Sequence, residues 1–412
     1  MTIGAQLNNA AWLKDRAVAG LLALLNRDGE EARVVGGAVR NALMGRAANE
    51  IDIATTAEPP EVIRRAEAAE YKAVPTGVEH GTVTVVIDGR PYEVTTLRVD
   101  VETYGRKAKV VFGRDWAKDA QRRDFTINAL SVSADGKVHD YVGGLADIDA
   151  RKVRFIGEPQ TRIAEDYLRI LRFFRFHAQY GEGALDPAGL LACIRASAGL
   201  EQLSRERVRM EMIKLIAGPH PAPTLAAMAE CGILETVLGG VPYLASFENV
   251  VKAEAALGIE PDTARRLGAL GVWMLEDAER LSERLRLSNA EVEQLLKLEY
   301  WWRVAPGAGE HAARTLLYLL GQASFIDRVL VAWSRSDAGV ADKSWHELAT
   351  LPQRWTAPRF PLRAMDFINR GVAKGPAMGA ALRAAEQAWI DADFPSDAAA
   401  IDAIADKAAR PR

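Results

Sequence analysis

The chain has 412 residues, 49% hydrophobic and 26% charged, with 33 Gly and 18 Pro, which leaves room for several domains and excludes a mostly disordered or collagen-like polymer. It contains no apolar run of the roughly 18 residues that a bilayer-spanning helix needs, so no transmembrane segment is expected. With 52 Lys+Arg against 55 Asp+Glu, the formal net charge of -3 excludes a wholly basic nucleic-acid coat but not a local basic site.

In chain order, Ala17 to Leu25 follows Lys14 and Arg16 like a short signal peptide. It lacks a small-x-small cleavage site and runs into Asn26-Arg27-Asp28, so an amphipathic helix is expected. Arg33-Val34-Val35 reads as a strand entering Gly36-Gly37, and Ala38 to Met44 as a helix stopped by Gly45. A second strand carries Ile51 and Ile53. Thr82 to Ile87 alternates, turns at Asp88-Gly89 and returns as Tyr92 to Leu97, a hairpin signal. A short strand is expected over Ala129 to Val132, with a turn at Asp135-Gly136. Beyond about Glu158 the helical period takes over, as in Ile163, Tyr167, Ile170, Leu171 and Phe174. Helices then continue with breaks at Gly218-Pro219, Gly239-Gly240 and Pro306-Gly307, and the Ala-rich end from Ala398 is expected to fray. Two cysteines, Cys193 and Cys231, suit neither a disulfide framework nor a zinc cluster, and point to a reducing cytoplasm.

Strand, Gly36-Gly37 and helix together form a phosphate cradle: glycines let the backbone approach oxyanions, and the helix start offers free N–H groups. Arg40, one turn in, would add a guanidinium fork. On the second strand, Glu50 and Asp52 would share one face while Ile51 and Ile53 take the other. Two such carboxylates repel unless cations lie between them, and magnesium suits them. Glu93, with Tyr92 and Val94 facing the other way, is the natural third ligand. An isolated acid pair is ordinarily a solvated strand edge; its place just after the cradle favours the metal reading.

Gly36-Gly37-Ala38-Val39-Arg40-Asn41, Glu50-Ile51-Asp52-Ile53-Ala54-Thr55 and Glu93-Val94-Thr95-Thr96 resemble the head of the class II CCA-adding tRNA nucleotidyltransferases and bacterial poly(A) polymerases, in the polymerase-β-like superfamily. Arg122 to Ala129 resembles the family's ribose- and triphosphate-contacting motif, which includes Arg123, Asp124 and Asn128. Glu165-Asp166-Tyr167-Leu168-Arg169, continuing through Arg172 and Arg175, resembles its nucleobase-selecting helix. Ser204 to Glu211, with Arg207, resembles the helix that braces it. Weaker similarity continues over Leu285 to Leu295 and Phe360 to Phe394.

The resemblance implies an α+β head with a mixed β-sheet over residues 1–157, followed by an all-α neck (158–218), body (219–330) and tail (331–412). It implies template-independent addition of the 3′-terminal CCA of tRNA from CTP and ATP, with two Mg2+ ions held by Glu50, Asp52 and Glu93. Poly(A) synthesis, addition of CC or A alone, and a catalytically silent RNA-binding relative are the alternatives. Two departures stand out. Glu50 replaces the family's usual Asp, shifting its oxygens by about one C–C bond, and Asn41 replaces an Asp that could orient Arg40.

Asp166 and Arg169 lie three apart, so a helix would place them on one face. Such a pair is ordinarily a surface ion pair. It also makes a base reader: the carboxylate accepts from the exocyclic amine of cytosine or adenine, and the guanidinium donates to the adjacent ring nitrogen. Uracil and guanine would set an acceptor against the carboxylate, a mismatch that discriminates strongly.

Tyr104 to Arg123 carries Arg106, Lys107, Lys109, Arg114, Lys118, Arg122 and Arg123, a local positive patch in what the resemblance makes a flexible loop. The six histidines show no paired arrangement of a metal phosphohydrolase, and His139-Asp140 is expected in a loop before Gly143-Gly144. The tryptophans, including Trp301-Trp302, are expected to serve packing rather than base stacking. Arg284, Arg286, Arg359, Arg363 and Arg370 are candidates to track a tRNA backbone.

Overall fold

The computed structural model describes residue 7 and residues 10–48, 50–104 and 107–410, with the side chains of 99–110 outside the description. Arg106 therefore lies outside the described residues, as do the side chains of Lys107 and Lys109.

Helix α1 (Arg16–Leu25) starts where the Asp15 carboxylate accepts from the N–H groups of Ala17 at 2.9 Å and Val18 at 3.4 Å. It buries Val18, Leu21, Leu22 and Leu25, so the amphipathic reading holds. Strand β1 (Ala32–Val35) is buried along its whole length and feeds α2 (Gly37–Leu43). Then follow β2 (Asp52–Thr55), α3 (Pro59–Ala68), β3 (Lys72–Gly77), β4 (Thr82–Ile87) and β5 (Arg90–Thr96). The expected turn joins β4 to β5: Asp88 and Gly89 both take positive φ, 50° and 77°, as a two-residue hairpin of matching twist requires. Strands β6 (Arg98–Tyr104) and β7 (Lys107–Phe112) pair as a separate ribbon, followed by α4 (Trp116–Gln121). Within the segment expected as a flexible loop, Lys107–Phe112 is strand and Trp116–Gln121 is helix.

With β8 (Ser131–Val132) and β9 (Val138–His139), the main sheet has the order β3-β4-β5-β2-β1-β8-β9. It is mixed: β2 runs antiparallel to β1 and parallel to β5. The second strand is shorter than its sequence suggests. It begins at Asp52, because β1 on its flank ends at Val35, the partner of Asp52, where Gly36 turns the chain away. Glu50 precedes the strand and Ile51 is only half-buried, so the shared-face argument for Glu50 and Asp52 does not apply.

The remaining helices of this unit are α5 (Gly144–Asp149), α6 (Pro159–Glu165), α7 (Leu168–Tyr180), α8 (Pro187–Arg195), α9 (Arg205–Ile216), α10 (Pro221–Glu230) and α11 (Ile233–Leu238). The stretch that resembles the family's nucleobase-selecting helix is not one helix. Asp166 is extended, with φ -157° and ψ 107°, and its carboxylate accepts from the Leu168 N–H at 3.1 Å, which closes α6 and opens α7. On α7, Phe173 and Phe176 pack against Phe125 and Phe155, with centroids of Phe125 and Phe155 4.9 Å apart and of Phe125 and Phe176 5.1 Å apart. This aromatic cluster locks the 122–129 motif to α7.

The chain divides into two compact units, Met1–Gly239 and Gly240–Arg412, at the Gly-Gly break. The second unit is helical. Its helix Leu244–Leu257 places Glu254 in the interior, where it accepts from Arg265 at 2.8 Å and Arg266 at 2.7 Å, while Arg265 also reaches Asp327 at 2.9 Å. The Ala-rich end does not fray: Ala398–Ala409 is helical and buries Ala405, because small side chains let it pack closely on Pro376–Asp391. Among the described residues no helix is long and apolar enough to cross a membrane.

Candidate active site

Parallel pairing of β2 with β5 sets Asp52 directly beside Glu93 on one face of the sheet. Both side chains are exposed, as is that of Glu50 just ahead of β2. All three border one cavity of ≈ 1330 Å³. The protein walls around the Asp52 carboxylate push its pKa up, and Glu93 and Glu50 push it further, with Arg123 opposing. Crowded hard oxygen donors fit a divalent cation such as magnesium, which binds through one or two carboxylates and keeps its remaining sites for water and phosphate. Among the described residues no three His, Cys, Asp or Glu already stand together as a metal-holding group. The fit therefore rests on the Asp52–Glu93 pair, with Glu50 as a neighbour.

Gly36 takes φ 68°, and a side chain there would place its Cβ 3.3 Å from Arg123 Nη1, so glycine gives the arginine its room. The N–H of Gly36 donates to the Leu130 carbonyl at 3.1 Å, and Gly37 opens α2. Arg40 does not point its fork at this opening. It is buried and donates to Asn128 Oδ1 at 2.5 Å, the Tyr180 hydroxyl at 2.7 Å and Asn41 Oδ1 at 2.9 Å. The expected phosphate contact is thus corrected to an internal tie, and Asn41 still orients Arg40 without the carboxylate charge. Burial pushes the Arg40 pKa down to about 10.

Asn128 also donates from Nδ2 to Asp124 Oδ1 at 3.0 Å, and Arg172 of α7 grips Asp124 through Nε at 2.9 Å and through Nη2. Burial alone would raise the Asp124 pKa; Arg172 and the N–H groups of Asn128 and Phe125 hold it below the usual carboxylate range. Arg175, buried one turn on, donates to Glu211 of α9 at 2.5 Å, so Glu211 braces α7.

Asp166 and Arg169 are joined only through the backbone, where the Arg169 N–H donates to the Asp166 carbonyl at 3.0 Å; their side chains turn to other partners. Asp166 Oδ2 accepts from Arg207 of α9 at 2.6 Å. Arg169 Nη1 donates to Glu165 and to the Arg162 carbonyl.

The first third and the middle of the chain match two domain families: the Poly A polymerase head domain over residues 32–154, and the probable RNA and SrmB-binding site of polymerase A over residues 184–247. The mitochondrial CCA tRNA nucleotidyltransferase 1 of Danio rerio is 34% identical over 377 residues, 90% of this chain and 86% of that protein. The chain belongs to the CCA-adding tRNA nucleotidyltransferase family. The CCA-adding enzyme of Limosilactobacillus fermentum is 32% identical, covering 92% of this chain and 93% of that one. The crystal structure of the Bacillus stearothermophilus CCA-adding enzyme in complex with CTP superimposes with a TM-score of 0.72 at 31% identity, over 91% of this chain and 92% of that one.

Within this CCA-adding family member, three residues that the motifs left out hold the site together. Arg162 donates to Glu165 at 2.5 Å and to the carbonyls of Arg122 and Arg123, the latter at 2.6 Å, tying α6 to the 122–129 motif. Its spacing three before Glu165 was the available sequence signal. Asp119, buried, pairs with Arg122 at 2.7 Å and Arg123 at 3.3 Å. Tyr180 receives Arg40 from the far end of α7, which no local pattern announces.

The positive patch is partly neutralised: besides Arg122 and Arg123, Arg114 pairs with Glu30 at 2.7 Å. Arg370 likewise pairs with Asp402 and Asp406 at 2.8 and 2.7 Å, whereas Arg359 and Arg363 are exposed. Asp140 spends its carboxylate on backbone N–H groups at the start of α5, from Val142 to Leu145. Trp116, Trp333, Trp345 and Trp389 are buried in packing roles, while Trp302 is exposed.

Proposed function

We propose that the protein builds or repairs the 3′-terminal CCA of tRNA from CTP and ATP, without a template, releasing pyrophosphate. The observation that supports it most directly is the Asp52–Glu93 pair beside a fixed Arg123–Asp124–Asn128 motif that α7 joins to Asp166 and Arg169. In the reaction the terminal 3′ oxygen of tRNA bonds to the α-phosphorus of the nucleotide, and the bond to the departing pyrophosphate breaks.

Asp52 and Glu93, with Glu50 adjusting beside them, would hold two Mg2+ ions. Bound there, magnesium would lower the pKa of the attacking 3′-hydroxyl and offset charge on the triphosphate. Arg123, near Asp52, contributes a guanidinium to the phosphates; Gly36 and Gly37 keep the backbone close, and Asp124 and Asn128 meet the ribose. Arg40 holds Asn128 rather than substrate.

Base choice falls to Asp166 and Arg169, each aimed by another residue. Arg207 fixes the Asp166 carboxylate, whose remaining lone pairs accept an exocyclic amine. Glu165 fixes Arg169 through Nη1, leaving its other N–H groups for the ring nitrogen of cytosine or adenine. Arg172 and Arg175 keep α7 in register through Asp124 and Glu211. We assign residues 1–157 to the head, 158–218 to the neck, and 219–330 and 331–412 to a body and tail that grip tRNA. Two unpaired cysteines, one buried, accord with the cytoplasm.

The test is incorporation by the purified chain with magnesium into tRNAs ending before C74, C75 or A76, each nucleotide supplied singly and together. CTP and ATP should be added in order and stop at A76. UTP or GTP used as readily as CTP would overturn the base-reading role, and long A tails on unstructured RNA would make the enzyme a poly(A) polymerase.

A further inference from the structure

Arg172, Phe176 and Tyr180 follow one another at four-residue spacing on α7, so their side chains rise in one row along the helix. Phe176 packs on Tyr180 with ring centroids 5.6 Å apart, and the Arg172 guanidinium lies 5.3 Å from the Phe176 centroid. Arg40 of α2 lies against the same row, 5.4 Å over Phe176 and 3.9 Å over Tyr180. The two ends of the row hold the two side chains assigned above to the ribose. Arg172 grips Asp124 through Nε at 2.9 Å, and the Tyr180 hydroxyl accepts from Arg40, whose Nη1 donates to Asn128.

These bonds decide which way the Asn128 amide faces. Its oxygen accepts from Arg40 at 2.5 Å and its nitrogen donates to Asp124 Oδ1 at 3.0 Å. The reversed amide would set donor against donor at Arg40 and acceptor against acceptor at Asp124. In the observed orientation one Nδ2 hydrogen is left without a partner among the described residues, and the Asp124 carboxylate lies beside it. A donor next to an acceptor engages both the oxygen and the proton of a sugar hydroxyl.

Asn41 accepts from Arg40 Nη2 at 2.9 Å and Nε at 3.1 Å, but it is the next residue on α2 and fixes the arginine only within its own helix. Tyr180 ties Arg40 to α7, the helix that carries Arg169 in its first turn.

We propose that Tyr180 is a positioning residue for sugar selection: its hydroxyl anchors Arg40, which turns the Asn128 amide so that Asn128 and Asp124 together meet a hydroxyl of the nucleotide ribose. The proposal rests on the function assigned above and deepens it, because sugar and base are then both gauged from α7.

The test is addition of the first C to a tRNA ending before C74 by the full chain, with CTP, 2′-deoxy-CTP and 3′-deoxy-CTP compared as ratios of kcat/KM. Tyr180→Phe keeps the stacked ring and removes only the hydroxyl. The preference for CTP over one of the two analogues should fall about fivefold, the worth of one hydrogen bond, while KM for tRNA moves less than about twofold. In an Asn128→Ala background Tyr180→Phe should lower the preference no further, since the hydroxyl acts through that amide.

Calorimetric binding of the same three nucleotides with magnesium and without tRNA reads the site independently of turnover. If the wild-type chain prefers CTP in binding, Tyr180→Phe removes that preference and no nucleotide is added to tRNA, the functional assignment fails and the positioning role stands. If Tyr180→Phe lowers the melting temperature but leaves the preference unchanged, weakens all three nucleotides alike, or lowers the preference again in Asn128→Ala, Tyr180 serves packing alone and the proposal is wrong.

Discussion

The Asp166 carboxylate accepts from Arg207, forty-one residues on, at 2.6 Å, while Arg169, three residues on, turns to Glu165. The side chains of the two residues proposed to read the base are therefore set from opposite directions, one by α9 and one by the end of α6.

Arg207→Gln should consequently relax base choice without touching the acids proposed to hold the metal. Losing a charge-assisted bond worth about 1.5–3 kcal/mol frees Asp166 to rotate. Misincorporation of UTP relative to CTP should rise about tenfold or more, read as the ratio of kcat/KM values. An unchanged ratio would show that Asp166 is aimed by its bond to the Leu168 N–H alone.

The Asp52 pKa is raised by its protein walls and by Glu93 and Glu50. A carboxyl whose folded pKa exceeds its unfolded one favours the fold below the unfolded pKa and loses that contribution as pH rises through the folded pKa. In metal-free protein, Asp52→Asn should therefore melt above the wild type at neutral pH. The gap should close as pH falls through the raised pKa, and magnesium should narrow it by stabilising only the wild type. Nucleotide addition should vanish in the variant. Thermal melts across pH 4 to 8 (roughly the range in which a raised carboxyl titrates) check the sign.

Arg40 is a buried cation whose three side-chain partners, Asn128, Asn41 and Tyr180, are formally neutral. Asn41→Asp supplies the missing anion and should stabilise the fold by about 1 kcal/mol. Arg40→Met removes the donor to the three side-chain oxygens of those partners and should cost roughly 3 kcal/mol. Denaturant midpoints decide; equal effects of the two substitutions would show that Arg40 is not under-compensated.

In the second unit, Glu254 is 1% exposed and serves both Arg265 and Arg266. Glu254→Ala removes the carboxylate shared by two buried guanidinium groups, of which Arg265 keeps Asp327, and should cost about 3–5 kcal/mol, seen as a lowered denaturation midpoint. A loss under about 1 kcal/mol would mean that water reaches the pair.

Local chemistry made much of this legible in advance. The Asp88-Gly89 hairpin, the Gly36-Gly37 turn into α2 and the amphipathic α1 each follow from residues within a few positions of one another, where turn chemistry and periodicity act. Membership of the family was equally readable, because its motifs are short and ordered along the chain.

Where local pattern met tertiary constraint, the pattern gave way. Glu50 and Ile51 have strand-like spacing, but β1 ends at Val35 and leaves them outside the ladder on that side. Asp166 and Arg169 have helix-like spacing, but the Asp166 carboxylate caps α7 and faces α9. Arg40 has the position of a phosphate fork, but Tyr180, 140 residues away, claims it.

The sequence by itself determined which residue types the chemistry has available and the order in which the chain presents them. Only the tertiary structure decided which acids, arginines and amides face one another. The reason is physical: a charge is satisfied by whichever partner lies within a few ångströms, and at this site those partners come from strands and helices far apart in the chain.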